Sequence, residues 1–194
     1  GVFEPGMKTG SMVSAFVKAC VEITETPIVG ISCSKGGSEI AEWLPETAYY
    51  SDALHRVNMC KKWLTDNGYD IRHSFMVWCQ GCTDGDRGTP TDVYKERTTT
   101  VLLDFLKDAG LEKCFLIQIG NHRDKPELYV RLQRAQEELA AENEDIVMVS
   151  RLFKTFAEKG LMKDEFHYLQ EGYNLVGAEA GAKVGRFLER DLNK

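Results

Sequence analysis

Two residues near the carboxyl terminus, Asp164 and His167, have the types and spacing needed for acid–base chemistry. The aspartate can hold one imidazole nitrogen, which fixes the tautomer and stabilises the imidazolium, and the other nitrogen is then left to act as a base. The same spacing also occurs where an aspartate caps the start of a helix or forms a surface pair. From the spacing alone, a catalytic pair and a helix cap are both possible interpretations of these residues.

A glycine pair and a glutamine could form an oxyanion hole. Gly36 and Gly37 follow an apolar run, and without Cβ atoms their N–H groups can face a ligand. A tight turn is the alternative, and a Walker loop is excluded because no Gly-Lys-Ser/Thr follows. A phosphatase loop is excluded because Glu39 stands where its arginine would be. Gln80 follows a second apolar run, and its amide can donate to a developing oxyanion.

The residues around Gln80 allow three further interpretations. Cys79 and Cys82 have the spacing of a redox pair, although Cys79 closes an apolar run and is expected to point into the core. A zinc site lacks a second ligand pair. Asp84 and Asp86 suggest calcium, but Lys95 stands where a calcium loop would need its closing acid.

Another polar loop, residues 120–124, contains Asn121. Its polar groups can touch a substrate, or the loop can simply be solvated.

Short apolar runs alternate with longer helical patterns along the chain. The runs predict strands at residues 27–34, 74–79, 114–119 and 146–149. Helices are predicted at about residues 11–22, 46–67, 91–109, 127–142 and 170–191. Strands that are apolar throughout are typical of a parallel sheet covered on both faces, so we predict an α/β fold, a three-layer α/β/α sandwich. Ligands then bind at the carboxyl ends of the strands, where all the residues above lie.

In this order, the motifs resemble those of the SASA-type carbohydrate esterases of the SGNH hydrolase superfamily, which include sialate O-acetylesterases and acetyl xylan esterases. The matching motifs, which together cover nearly the whole chain, are Gly36-Gly37-Ser38 with Trp43, Trp78-Cys79-Gln80-Gly81 with Asp84, Ala135-Gln136, and Asp164-x-x-His167 before a terminal helix.

The resemblance implies a mainly parallel, flavodoxin-like sheet and hydrolysis of acetyl esters on sugars, with an acetylated carbohydrate as substrate and no metal or cofactor. His167 would be the general base and Asp164 its partner, while Gly37 and Gln80 would bind the oxyanion. Asp84 and Asn121 are the expected substrate-binding residues. Such a set serves acyl transfer through a tetrahedral intermediate.

The sequence departs from the family pattern in its nucleophile. The family's serine lies in a Gly-Gln-Ser-Asn motif after a first, central strand, and this motif is absent here; Ser11 instead starts a helix. Without that strand, a gap would separate residues 27–34 from residues 74–79. We therefore expect one domain over residues 1–194 that is incomplete at its amino terminus, with a preceding segment supplying strand and serine.

A second departure is Cys82, which stands where the family often has glutamate. A thiol is mostly neutral at pH 7 and cannot replace a carboxylate as a charge partner. Asp164 is therefore the better candidate partner for His167.

Composition and charge argue against several classes of function. The 194 residues carry 24 Lys and Arg against 30 Asp and Glu, for a formal charge of −6, and are 43% hydrophobic. This acidic balance argues against nucleic acid and anionic membranes as partners, and no apolar run is long enough to span a membrane. The six cysteines suggest reduced thiols and a cytoplasmic protein; secretion and a homo-oligomer are not excluded. The alternatives to an esterase are a non-catalytic carbohydrate-binding relative and a redox protein.

Overall fold

The computed structural model describes residues 10–192, which form an α/β fold around a parallel sheet. The strands are β1 (Phe75–Trp78), β2 (Lys113–Ile117) and β3 (Ile146–Ser150), in that spatial order. Val77 lies opposite Phe115, and the register between β2 and β3 shifts after Leu116. Three of the four predicted strands are therefore confirmed, within one or two residues at each end.

Six α-helices surround this sheet in the described part of the chain: α1 (Val13–Thr24), α2 (Ala48–Asp66), α3 (Cys82–Arg87), α4 (Thr91–Ala109), α5 (Val130–Glu142) and α6 (Gln170–Leu192). Short 3₁₀ helices occupy Ile40–Trp43, Pro126–Tyr129 and Leu152–Thr155. The five predicted helices are confirmed. No helix among residues 10–192 is both long and apolar enough to cross a membrane.

The alternating side chains of β2 divide the core into two layers. Phe115 and Ile117 face one cluster with residues of α1 and α6, whereas Cys114 and Leu116 face another with residues of α4 and α5. Successive side chains of a strand point to opposite faces, so the apolar run of β2 requires cover on both sides. This confirms the three-layer α/β/α sandwich.

Helices α1 and α6 pack at unusually close range through glycines of α6. A Cβ added at Gly177 would lie 2.4 Å from the carbonyl oxygen of Met12, and one at Gly181 would lie 2.2 Å from that of Phe16. The missing side chains let the two backbones touch. The carboxyl-terminal helix, which follows His167 in the chain, is thereby fixed to the rest of the domain.

The predicted strand at residues 27–34 is not formed, and this prediction was wrong. The segment has no regular secondary structure, and Val29 and Ile31 are exposed. It is tethered to α2, since Arg56 donates to the carbonyl of Ser32 and Cys33 contacts the carbonyl of Ala53. A strand exists only when a neighbour satisfies its backbone groups, and within residues 10–192 β1 pairs with β2 alone.

We predict that Gly181→Ala destabilises the protein by about 1–2 kcal/mol. Alanine gains about 1 kcal/mol in helix propensity. Overpacking costs about 1–3 kcal/mol, and about 2–3 kcal/mol is expected here because the atom that the new Cβ meets belongs to the backbone and cannot move aside. Urea unfolding measures the difference. The control is Ala178→Gly on the exposed face of α6, which reports propensity alone. If Gly181→Ala is the more stable protein, the close packing is not present.

Candidate active site

Gln80 and Asn121 lie at the carboxyl ends of β1 and β2, and hydrogen bonds join their loops to other segments that carry predicted site residues. Gly37 instead follows the irregular residues 27–34, and Asp84 lies in α3. Asn121, after β2, donates from its side chain to the carbonyl of Lys154, after β3 (3.0 Å). The Arg123 N–H donates to the carbonyl of Glu165 (2.7 Å), which ties the loop after β2 to the segment that carries His167. The topology thus brings distant parts of the chain to one edge of the sheet, as expected for such a sheet.

Asp164 contacts His167 in the way that their spacing predicts. The imidazole Nδ1 lies 2.9 Å from one carboxylate oxygen of Asp164 and 3.1 Å from the other. The carboxylate also accepts the backbone N–H groups of Phe166 (3.1 Å) and His167 (2.7 Å). Asp164 therefore acts both as a cap and as the partner of the ring. Nε2 makes no hydrogen bond to any of residues 10–192, so it is available to a ligand.

These contacts favour the charged form of the carboxylate. Partial burial acts to raise the pKa of Asp164, but the hydrogen bonds from the His167 backbone, the His167 ring and the Phe166 backbone outweigh it and hold the pKa below its usual value. Asp164 is therefore ionised at neutral pH. An ionised partner fixes the proton of the neutral ring on Nδ1 and leaves Nε2 as the acceptor.

Gly37 lies in a loop whose backbone conformation favours glycine. Its φ is 70°, the left-handed region, and the residue is exposed with open space around it. Its N–H makes no hydrogen bond within the described part of the chain. The next residue, Ser38, is buried; its hydroxyl donates to the carbonyl of Lys35 (2.9 Å) and accepts from the Trp43 indole (2.8 Å). Ser38 thus has a structural role, and Gly37 offers a free donor.

Gln80 is held by both its backbone and its side chain. Its carbonyl accepts from the Tyr94 hydroxyl (2.8 Å) and from Gln136 (2.9 Å). Its amide nitrogen donates to the carbonyl of Ser38 (3.0 Å) and to Asp84 (2.6 Å). Both N–H groups are therefore engaged, so donation to an oxyanion requires one of these bonds to be exchanged.

The two predicted substrate-binding residues are engaged inside the protein. Asp84 is only 1% exposed, and its carboxylate accepts three internal hydrogen bonds. This placement does not fit direct contact with a substrate, because the carboxylate is buried and already bonded inside the protein. Asn121 is half-buried; besides its bond to Lys154, its side-chain oxygen accepts from Gln133 (2.7 Å).

The cysteines do not have the properties of a redox pair. All six lie within residues 10–192 and are free thiols. Cys79 is exposed, contrary to the prediction that it points into the core. Burial raises the pKa of the Cys82 thiol above its ordinary value. Reactive thiols require the opposite shift. Residues 10–192 contain no group of three or more His, Cys, Asp and Glu that could hold a metal ion.

No serine among residues 10–192 is placed to act as nucleophile with His167. No serine or threonine hydroxyl of these residues hydrogen-bonds to its ring. Ser11 precedes α1 and accepts the Val13 N–H, which makes it part of the helix start.

The structure adds roles that the sequence did not predict. Gln136 was noted only as part of a motif, yet its side chain bonds Gln80, the Tyr94 hydroxyl and, through its oxygen, the N–H of Ile119 (3.1 Å). It therefore joins the loops after β1 and β2. Gln136 is fully buried on a helix face that also buries Leu132, Gln133 and Leu139. A glutamine at a position with apolar helical spacing is the sequence signal that could have identified it.

We predict that Asp164→Asn lowers the melting temperature at neutral pH and that this difference disappears in acid. A carboxylate with a depressed folded-state pKa stabilises the protein above its unfolded pKa of about 3.9, and loses that effect as the pH falls through the folded value. Thermal unfolding of both proteins from about pH 5 to about pH 2 tests this. Glu165→Gln, at an exposed neighbouring position, is the control. A difference that stays constant with pH would contradict the proposed ion pair.

A comparison with solved structures agrees with the fold. A protein from Arabidopsis thaliana, determined by X-ray crystallography, superposes with a TM-score of 0.69 at 21% sequence identity, covering 95% of this chain and 69% of that chain. At this identity, the similarity shows the architecture alone. A comparison with curated proteins gives no match.

A family model matches almost the entire chain. It describes a carbohydrate esterase, sialic acid-specific acetylesterase, and it matches residues 5–184. The match includes every loop at the carboxyl edge of the sheet, together with the Asp164–His167 pair. The chain therefore belongs to the family of sialic acid-specific acetylesterase-type carbohydrate esterases.

Proposed function

We propose that this protein is a carbohydrate O-acetylesterase that hydrolyses acetyl esters on sugars through a serine acyl-enzyme. The observation that carries the proposal is the Asp164–His167 pair, with Nδ1 held at 2.9 Å and Nε2 free. Family membership supports ester hydrolysis. The free N–H of Gly37 and the amide of Gln80 are the candidate oxyanion donors.

In this mechanism a serine hydroxyl attacks the acetyl carbonyl while Nε2 of His167 accepts its proton. Asp164 stabilises the imidazolium, and the tetrahedral oxyanion is bound by the N–H of Gly37 and one N–H of Gln80. The intermediate expels the sugar hydroxyl, which takes the proton from His167. A water molecule then attacks the acetyl-serine by the same steps, with His167 again as the base, and acetate is released.

We propose further that the serine comes from a segment outside these 194 residues, which also supplies a strand beside β1. The unpaired edge of β1 supports this, since 39% of Val77 is exposed in what is otherwise a covered sheet. Within residues 10–192, residues 27–34 also have no strand to pair with. A parallel strand at this edge would satisfy the backbone groups of both β1 and residues 27–34.

A carbohydrate-binding protein without catalysis is the second candidate. It is favoured by one observation, namely that no serine among residues 10–192 contacts His167. Such a protein would bind acetylated sugars and leave them intact.

The test is an assay of the protein expressed from the complete reading frame, on p-nitrophenyl acetate and acetylated sugars. His167→Ala should lower kcat by about 10⁴-fold or more, as loss of a triad base does. His55→Ala, an exposed histidine of α2, is the control and should leave kcat unchanged. Sugar binding without turnover would favour the second candidate, and turnover that survives His167→Ala would exclude the proposed base.

For the oxyanion donors, Gln80→Ala should lower kcat by about 10²-fold with little change in KM, because the bond forms only in the transition state. Steady-state kinetics on the same substrates measures both constants. A change confined to KM would mean that Gln80 binds ground-state substrate instead.

A further inference from the structure

The carboxylate of Asp84 joins two loops that are distant in sequence. One oxygen, Oδ2, accepts the backbone N–H of Ile40 (2.9 Å) and the side-chain N–H of Gln80 (2.6 Å). The other, Oδ1, accepts the hydroxyl of Thr89 (3.0 Å). Ile40 lies three residues after Gly37, so one oxygen of Asp84 connects the Gln80 amide to the segment that follows the Gly37 loop.

This carboxylate lies where a charge is costly. Asp84 is 1% exposed, and no lysine or arginine among residues 10–192 forms an ion pair with it. A buried carboxylate without a cation depends on its hydrogen bonds, and losing any of them leaves an unsatisfied charge. Its three donors are therefore held firmly in place, which makes it an effective anchor.

We infer that Asp84 is a positioning residue of the esterase site, a role that rests on the function proposed above. It holds the amide of Gln80 and the loop of Gly37 at a fixed distance from each other. Asp84 itself is buried, so it touches neither the substrate nor the reacting atoms.

The two hydrogen bonds of the Gln80 amide differ in strength, and this difference indicates which N–H can turn toward an oxyanion. The bond to Asp84 is short and charge-assisted, whereas the bond to the Ser38 carbonyl is longer and neutral. Charge-assisted bonds are roughly twice as strong. The N–H on Ser38 is therefore the one that exchanges toward an oxyanion, while Asp84 keeps the amide oriented.

Three variants separate positioning from simple stabilisation. Asp84→Ala removes every acceptor. Asp84→Asn can keep the geometry, because its carbonyl oxygen can replace Oδ2 and its NH₂ can face the hydroxyl oxygen of Thr89. Asp86→Asn is the matched control, since Asp86 lies in the same helix α3 but accepts only from the Tyr129 hydroxyl.

The first measurement is made on the protein from the complete reading frame and does not depend on its activity. In NMR hydrogen exchange, we expect the Gln80 side-chain amide and the Ile40 N–H to be protected in the parent, in Asp84→Asn and in Asp86→Asn, and to lose protection in Asp84→Ala. If Asp84→Ala does not fold, Thr89→Val, which removes only the donor to Oδ1, should weaken protection at Gln80. Unchanged protection in a folded Asp84→Ala, or in Thr89→Val when it is the substitute, would overturn the inference.

The second measurement is steady-state kinetics on the protein from the complete reading frame. Asp84→Ala should lower kcat by about 10²-fold with KM nearly unchanged, as loss of an oxyanion donor does. Asp84→Asn should restore part of that loss, because it keeps the geometry but replaces the charge-assisted bond with a weaker neutral one. A residue that only stabilises the fold would leave kcat of the folded protein intact, and that result would overturn the inference. If no variant or parent hydrolyses esters, the proposed function fails, while the exchange measurement still decides whether Asp84 orients Gln80.

Discussion

The need to satisfy backbone hydrogen bonds away from water is the constraint on which this structure depends. It pairs β1, β2 and β3 in parallel, and parallel pairing brings the carboxyl ends of all three strands to one edge. Gln80 and Asn121 lie at that edge because of that geometry. The same constraint explains residues 27–34, which are apolar and β-prone but remain irregular, since the described part of the chain offers them no strand to pair with.

The two aspartates of the site show how environment assigns different roles to one side chain. Asp164 is partly exposed and contacts the imidazole Nδ1 of His167, so its fixed negative charge can stabilise that ring in its protonated form. Asp84 is sealed from solvent and bonds only neutral donors. The first is suited to stabilising a transient positive charge, and the second to holding groups still. A site for acyl transfer needs both, because preorganised donors are effective only if they do not move.

Local patterns allowed much of the fold to be predicted. Helix α4 begins and ends where its periodicity and Gly110 indicate, and the Asp164–His167 contact follows from spacing within one loop. Residues 27–34 were misassigned because a strand depends on a partner elsewhere in the chain, which a local apolar run does not report. The internal position of Asp84 could not be predicted in the same way. It depends on contacts with Ile40 and Thr89, which spacing along the chain does not encode.

Cys82 supplies no negative charge to the candidate site. Burial raises the pKa of this thiol, so it stays neutral beside Gln80 and contributes no negative charge to the imidazolium. Nearby Asp86 raises that pKa further, and its own carboxylate accepts from the Tyr129 hydroxyl. Asp164 is then the carboxylate in direct contact with the ring of His167. In the proposed mechanism, the base relies on its ion pair with Asp164. The N–H groups of Phe166 and His167, which keep Asp164 ionised, therefore contribute to that proposed chemistry.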